Sequence, residues 1–593
     1  MGSLQYQSLD PTRPEIRVLA ILPSFRKLST IKCKLVKVDL DLLDEAPFAF
    51  YEALSYTWGD ATSTESITLD GHTFQVTRNL AAVLRRLRGR TRKRYLWVDA
   101  ICINQTDISE RKNQVMKMKM IYERSIQALV WLGEEAEGSG AAMDLIDKMT
   151  DADTPDEWIR TSLERAEDLW QWQALGHIFA RPYWRRVWIR QEVAVATEVY
   201  VLCGNRTQKW TTLVMACEIL SQNLFEFDSI VAEISPYTSG YHQAIFIDTI
   251  RENIRDAGSA GFQNMLFHNR ACESTDPRDR VYAVLGIVNN DEVKGLEPDY
   301  SMQKEEVFRA AVESLIHNTR SLDVLSACQD PERESGLPSW VPNFEVDWKA
   351  QILRVKEGGE NLYHASADIP VEGDSIQRPN ENALAINGII CDEVEDIGDL
   401  YKDDSTLNKV LETWRQIALK TLTLKRLALT EHEIFESYWR TLIADQDLAG
   451  DRASQDAIND ITSHIVDADR PIPKLDLESG NTIFNQRFRV VAESRRLVGS
   501  KNGKIGLASV DVEVGDCICV FHGAGVPFVL RKKLNHYVIV GEACKLRLQM
   551  ILLRLGQGKL NSLFPLDIHG LMDGEAIRLV ENEEAALEKI VLY

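Results

Sequence analysis

Apolar residues fall in short alternating or continuous blocks over the first 205 positions, with helical spacing between them. Residues 16–22, 32–40 and 53–57 read as strands. Residues 66–69 and 73–76 flank Asp70-Gly71, the composition of a two-residue hairpin turn. A helix capped by Thr77 or Asn79 is predicted through Leu87. Residues 95–103 (YLWVDAICI) form a nearly continuous apolar run, as expected of a strand buried on both faces. Asp107 and Glu110 have capping-box spacing and open a helix that contains Val115, Met116, Met118, Met120, Ile121 and Tyr122. Residues 128–132 read as another buried strand, stopped by Gly133. Strand, helix and strand over about 38 residues predict a βαβ unit and a parallel sheet. Residues 134–175 are acidic and helical in pattern. Trp184, Val187, Trp188 and Gln191 then fall three and four apart, a helical face, and residues 199–203 return to strand.

From 206 to about 485 the pattern is mainly helical, with Pro-containing islands at 274–288 and 337–344. Past 485 it changes to short β runs at 487–492, 505–509, 517–521, 528–531 and 537–540, separated by Gly-rich turns. This predicts a small antiparallel barrel or sandwich. Three segments result: an α/β domain at 1–205, a mainly helical domain at 206–485 and a small β domain at 486–593.

Composition narrows the classes. Of 593 residues, 45% are hydrophobic, enough for real cores. Lys+Arg number 68 and Asp+Glu 89, for a formal charge of −21, which disfavours a general nucleic-acid binder. The basic stretch from Arg85 to Arg94 reads as the solvated end of an amphipathic helix and its loop. No run of 18 uncharged apolar residues occurs, so no membrane span is predicted. There is no signal-peptide pattern, and Tyr6 stands where a myristoylation motif needs Ser or Thr. The ten cysteines are scattered, without C-x-x-C or zinc spacing, which predicts reduced thiols, no metal site and a cytoplasmic location. Cys517 and Cys519 share a strand face and read as packing.

Together, YEALSYTWGD (51–60), LWVDAICINQTDISERKNQVMKMKMIY (96–122), VWLGE (130–134) and YWRRVWIRQEVAVA (183–196) resemble the fungal heterokaryon incompatibility (HET) family. TDPRDRVYAVLGI (275–287), PDYSM (298–302), LPSWVPNF (337–344) and GDCICVFHGAGVPFVLR (515–531) continue the resemblance in order and spacing. One departure stands out. The family's last β segment is normally continuous. Here Gly541-Glu542-Ala543-Cys544 is separated from His569-Gly570-Leu571-Met572 by a basic, apolar stretch. It reads as an atypical insertion near 545–567, either a hairpin or a retained intron.

The resemblance implies a module distantly similar to TIR domains, hence a TIR/flavodoxin-like parallel-sheet fold. It also implies a role in nonself recognition and programmed cell death. Many TIR-like domains cleave NAD at the nicotinamide–ribose bond with one glutamate in a W-x-x-x-E-L motif. The matching residues here are Trp188-Ile189-Arg190-Gln191-Glu192-Val193, so Glu192 is the implied catalytic carboxylate. A carboxylate beside C1′ stabilises positive charge on the ribose, and the leaving nicotinamide needs no strong general acid. The alternative for Glu192 is a structural ion pair, with Arg185 on its expected helix face.

Ligands of open α/β sheets bind beyond the carboxyl ends of the strands. Ser55, Tyr56, Trp58, Gly59 and Asp60 occupy such an end. Trp58 could stack on a nucleotide base, and Gly59 would admit a phosphate or ribose. Equally, Trp58 could fill core space and Asp60 cap the next turn. Asp99, Asn104 and Gln105 form a second polar group at the same sheet end, able to bind ribose or to hold their own loop. Cys102 lacks a nearby histidine and is a weak nucleophile candidate. Asp276, Arg278, Asp279 and Arg280 read as a salt-bridged helix start. Three functions stay open: an NAD-cleaving enzyme that needs no cofactor and takes NAD or a related nucleotide as substrate; a death-effector or scaffold module that self-associates or binds another protein; and a HET-fold enzyme recruited to small-molecule metabolism.

Overall fold

The computed structural model describes residues 5–593 apart from 27, 46–50, 166, 223–239, 332–335, 354–362, 368, 372–375, 425–428, 448–450, 454–460, 462–464, 468–470, 476, 478–481, 545–576, 578–579 and 581–585. The stretch read as an insertion therefore lies outside the described residues. The chain divides into two compact units, Met1–Gln303 and Lys304–Tyr593.

The first unit opens with an antiparallel pair, β1 (Glu15–Ile21) and β2 (Lys32–Asp39). Next come β3 (Glu52–Tyr56) and the hairpin β4 (Thr64–Leu69) and β5 (His72–Thr77). Asp70 and Gly71 have φ of 50° and 85°, the paired positive values of a type I′ turn. The Thr77 side chain accepts from the Leu80 N–H at 3.3 Å and caps α1 (Arg78–Leu87). β6 (Arg94–Trp97) follows, then α2 (Asp99–Cys102), α3 (Ile108–Met116), α4 (Met118–Glu123) and β7 (Ala128–Gly133). Helices α5 (Ser139–Thr150), α6 (Pro155–Leu163), α7 (Leu169–Phe179) and α8 (Ile189–Ala194) lead to β8 (Val199–Cys203) and β9 (Arg206–Lys209). Further helices follow at Trp210–Gln222, Gly240–Ala257, Phe262–Asn269 and Asp279–Tyr282, with the first two contributing to the core of the unit.

The sheet order is β5-β4-β2-β1-β6-β3-β7-β8-β9. β6, β3, β7 and β8 are parallel neighbours. Taken in chain order, these four stand 2-1-3-4, the first places of the flavodoxin-like order. The antiparallel β9 takes the outer position. The crevice that this order creates lies between the carboxyl ends of β3 and β7.

In the first unit two segments depart most from the sequence reading. YLWVDAICI is not one strand: the sheet ends at Trp97, and Asp99 starts a helical turn. An apolar run buried on every side carries no periodicity with which to separate the two. Nor is the stretch from Trp184 to Gln191 one helix. Pro182–Arg185 is a 3-10 turn, and Arg186 is extended at φ −70° and ψ 132° before α8 begins.

The second unit holds β10 (Leu384–Ile397), inside the region whose sequence reads as mainly helical. A small pair, β11 (Ile465–Asp467) and β12 (Lys474–Leu475), precedes β13 (Arg495–Ser500) and β14 (Ile505–Ser509). β15 (Cys517–Phe521), β16 (Phe528–Lys532), β17 (Tyr537–Cys544) and β18 (Glu588–Leu592) follow. The hydrogen-bonded ring β13-β14-β17-β16-β15-β10 closes back on β13, so this domain is a barrel. Ile389, Val498, Ala508, Ile518, Val520, Val529 and Val540 are buried together in its core. Residues 487–492, read as a strand, belong instead to the helix Ile483–Ala492, capped by Thr482.

Candidate functional site

β3 is buried along its whole length, and alternation puts Ala53 and Ser55 on one face and Leu54 and Tyr56 on the other. At its carboxyl end the Ser55 hydroxyl donates to the Glu192 carboxylate and lies 2.8 Å from the Tyr183 hydroxyl. Arg186 faces the same carboxylate, with Nη1 3.3 Å from Oε2 and Nη2 3.4 Å from Oε1. Ser55, Tyr183 and Glu192 are all buried, with Glu192 only 2% exposed.

Asp99, at the end of β6, is the second carboxylate of the cluster. It accepts from the Trp58 indole N–H at 2.8 Å and from its neighbour Ala100 N–H at 2.7 Å. Tyr56 also hydrogen-bonds to it. Burial pushes both carboxyls above the ordinary range. For each, the Arg186 guanidinium is the largest opposing influence, and for Glu192 the proximity of Asp99 adds to the rise. Burial disfavours the Arg186 cation, but Glu192 and then Asp99 outweigh it and hold its pKa above the ordinary value. One guanidinium thus serves two carboxylates, which favours a proton or a cationic group nearby.

The helix carrying Glu192 is clamped from several sides, and every one of its six residues is buried. Arg251 donates to the carbonyls of Val193 and Ala196 at its C-terminus. Arg190 donates to Gln243 at 2.9 Å and to the His268 carbonyl at 3.0 Å, and stacks 4.6 Å over Phe246. Trp188 donates to Asp279 at 3.1 Å.

The remaining candidate residues fall around this cluster. Trp58 fills no core space: it is 45% exposed at the rim, pinned by its bond to Asp99. Gly59 has φ +78°, and an added Cβ would lie 3.3 Å from the Cβ of Asn79. Asn79 holds this corner, donating to the Thr57 carbonyl at 2.6 Å and accepting from Trp131 at 2.9 Å. Asp60 is engaged in its own turn, accepting from Thr62 N–H at 2.8 Å and Thr62 hydroxyl at 2.6 Å. Asn104 likewise accepts from Thr106, while Gln105 donates to the Asp99 carbonyl at 2.9 Å. Cys102 is buried, its thiol pushed up to about 12 chiefly by burial, which removes it as a nucleophile. All ten cysteines are free.

Sequence reasoning chose the wrong arginine. Arg185 instead faces Glu273 at 3.3 Å, and Arg186 pairs with Glu192 because the extended residue breaks the expected helical face. Tyr183 was missed as well. Its meeting with Ser55 spans 128 residues and leaves no local signal. Asp279 is buried within the first unit. It accepts from Tyr300 at 2.7 Å as well as from Trp188, and burial lifts its carboxyl to about 6.

Residues 51–192 match the family profile described as heterokaryon incompatibility protein (HET), from the start of β3 to Glu192 itself. Residues 403–545 match the Het-6 beta-barrel domain. Heterokaryon incompatibility protein 6, OR allele, of Neurospora crassa is 24% identical over an alignment covering 90% of this chain and 93% of that protein. Two stretches of the chain thus carry the sequence marks of heterokaryon incompatibility proteins. No solved structure matches it. The two matched regions fall in different compact units, the HET region in the first and the barrel region in the second. The barrel match ends at 545.

Proposed function

We propose that this protein acts in fungal nonself recognition and programmed cell death. We further propose that its first unit hydrolyses NAD at the nicotinamide–ribose bond. The observation that carries this reading is the placement of Glu192: its carboxylate meets Ser55 at the carboxyl end of β3, beside the crevice of the parallel sheet. In the reaction the C1′–N bond breaks and its electron pair leaves with nicotinamide. Glu192 stabilises the positive charge that develops on the ribose. Water then adds to C1′ and releases a proton, giving ADP-ribose. Two carboxylates around one guanidinium suit the cationic nicotinamide ring, and the exposed Trp58, bonded to Asp99, would offer it a stacking face.

Glu192 is closed off from solvent, so the reading requires a state in which its carboxylate becomes accessible. The test is nicotinamide release by the purified full chain, compared with Glu192→Gln. Release that the substitution abolishes, with the melting temperature retained, is the expected result. A second reading rests on the same burial. Both oxygens of Glu192 are already engaged by Ser55 and Arg186, as in a purely structural pair. No release at concentrations where the chain self-associates, with cell killing intact in Glu192→Gln, would favour a non-enzymatic effector.

A further inference from the structure

Charge is unevenly placed along this acidic chain. Residues 16–38 and 71–98 hold fourteen Lys and Arg and no Asp or Glu, although the formal charge of the whole is −21. The fold brings parts of these segments together. Ile21 at the end of β1 pairs with Arg94 at the start of β6, so the connections at 22–31 and 88–93 leave the sheet side by side. Ser24 N–H donates to the Gly89 carbonyl at 3.1 Å. The Arg88 guanidinium donates to the carbonyls of Arg26 at 2.9 Å, Ser29 at 3.0 Å and Thr30 at 3.3 Å. An added Cβ on Gly89 would sit 2.6 Å from the Arg92 carbonyl, so the turn closes only around glycine. These are built loops, tied to each other through backbone groups.

What they present outward is unusual. Phe25 is 79% exposed and Leu28 is 92% exposed. Around them Arg26, Arg90, Arg92 and Lys93 are exposed. The nearby carboxylates are taken, Glu65 by Arg85 and Glu52 by Arg94. Among the described residues, Arg26, Arg90, Arg92 and Lys93 form no ion pair.

We propose that the paired loops 22–31 and 88–93 dock this protein peripherally on an anionic lipid surface. Phe25 and Leu28 enter the boundary between headgroups and acyl chains, and the four cations meet lipid phosphates and carboxylates. Cations alone would suit any polyanion. The two protruding apolar side chains, Leu28 above all, select a lipid boundary, because leucine gains nothing on a phosphate backbone. The bulk negative charge does not forbid contact, since screening confines it to about 8 Å at physiological salt. No helix among the described residues is long and apolar enough to cross a membrane, so the docking lies on the surface.

The test is co-sedimentation of the full chain with vesicles of phosphatidylcholine alone or with about one-third phosphatidylserine, near 0.1 M salt. Wild type should pellet only with phosphatidylserine and be released by high salt. R90Q/R92Q/K93Q should lower partitioning at least about tenfold, and F25S/L28S at least about fivefold. All five side chains are exposed, so the melting temperature should hold in both variants. Three results would overturn the proposal: pelleting independent of phosphatidylserine or absent, F25S/L28S partitioning like wild type, or capture of a DNA duplex in place of vesicles.

Discussion

Arg186 is the residue on which the buried cluster turns. It faces Glu192 directly and acts on Asp99, in surroundings that raise both carboxyls. Removing the cation strands two buried carboxylates, which costs on the order of 3–5 kcal/mol. Arg186→Met is therefore expected to be much less stable than wild type near pH 7.5. The direction with pH follows from proton uptake. With no cation the folded-state carboxyls rise further, so the native protein keeps protons that the unfolded chain has released. Stability then increases as pH falls through that window. Urea melts should show the gap between Arg186→Met and wild type narrowing near pH 5. A gap of equal size at both pH values would mean that the cluster carries no ionised pair. Glu192→Gln leaves Asp99 to neutralise Arg186 and should be the milder change.

At the scale of elements, α8 is held by partners distant in sequence, and one of them titrates. Asp279 accepts from Trp188, the residue before α8, and burial lifts its carboxyl to about 6. Asp276 adds to that rise, and Tyr300, Trp188 and Arg111 oppose it. The raised value means that the folded state holds this proton while the unfolded chain has lost it. Asp279 therefore contributes stability below the ordinary carboxylate pKa that is lost as pH rises to about 6. Asp279→Asn keeps an acceptor for Trp188 and removes the charge. It should flatten the stability profile between about pH 4 and 6 and stabilise the protein near pH 7.5 by up to about 3 kcal/mol. An unchanged profile in urea melts would show that the carboxyl titrates normally.

Elements that announce themselves locally were legible in the sequence. The Asp70-Gly71 turn, the Thr77 cap and the Asp107 cap all have short-range chemical signatures, and each is present. Parallel strands buried on both faces showed as apolar runs. What failed were segments whose state is set by distant partners. β10 joins an apolar half, LAINGIIC, to one bearing Asp392, Glu393, Glu395 and Asp396, so no single period marks it, yet β18, β15 and β13 pair along it in succession. Residues 487–492 alternate like a strand but are helical after the Thr482 cap. Of the cluster, Ser55, Tyr56 and Asp99 are legible in the sequence at one sheet end, while Glu192 comes only from the family resemblance and not from any sheet-end signal. Arg186 depended on a backbone break that no periodicity announced.

For the whole molecule, the two compact units have separate cores, one drawn from residues 16–247 and one from residues 365–577. A fragment ending at Gln303 is expected to unfold by itself in a single sigmoidal transition followed by tryptophan fluorescence. A gradual, featureless loss would show that this unit is not self-supporting. In the second unit the strand ring closes wholly between residues 384 and 544, and β18 joins it from outside. Closing the ring therefore uses no residue between β17 and β18. A transcript with or without 545–567 would encode all six ring strands.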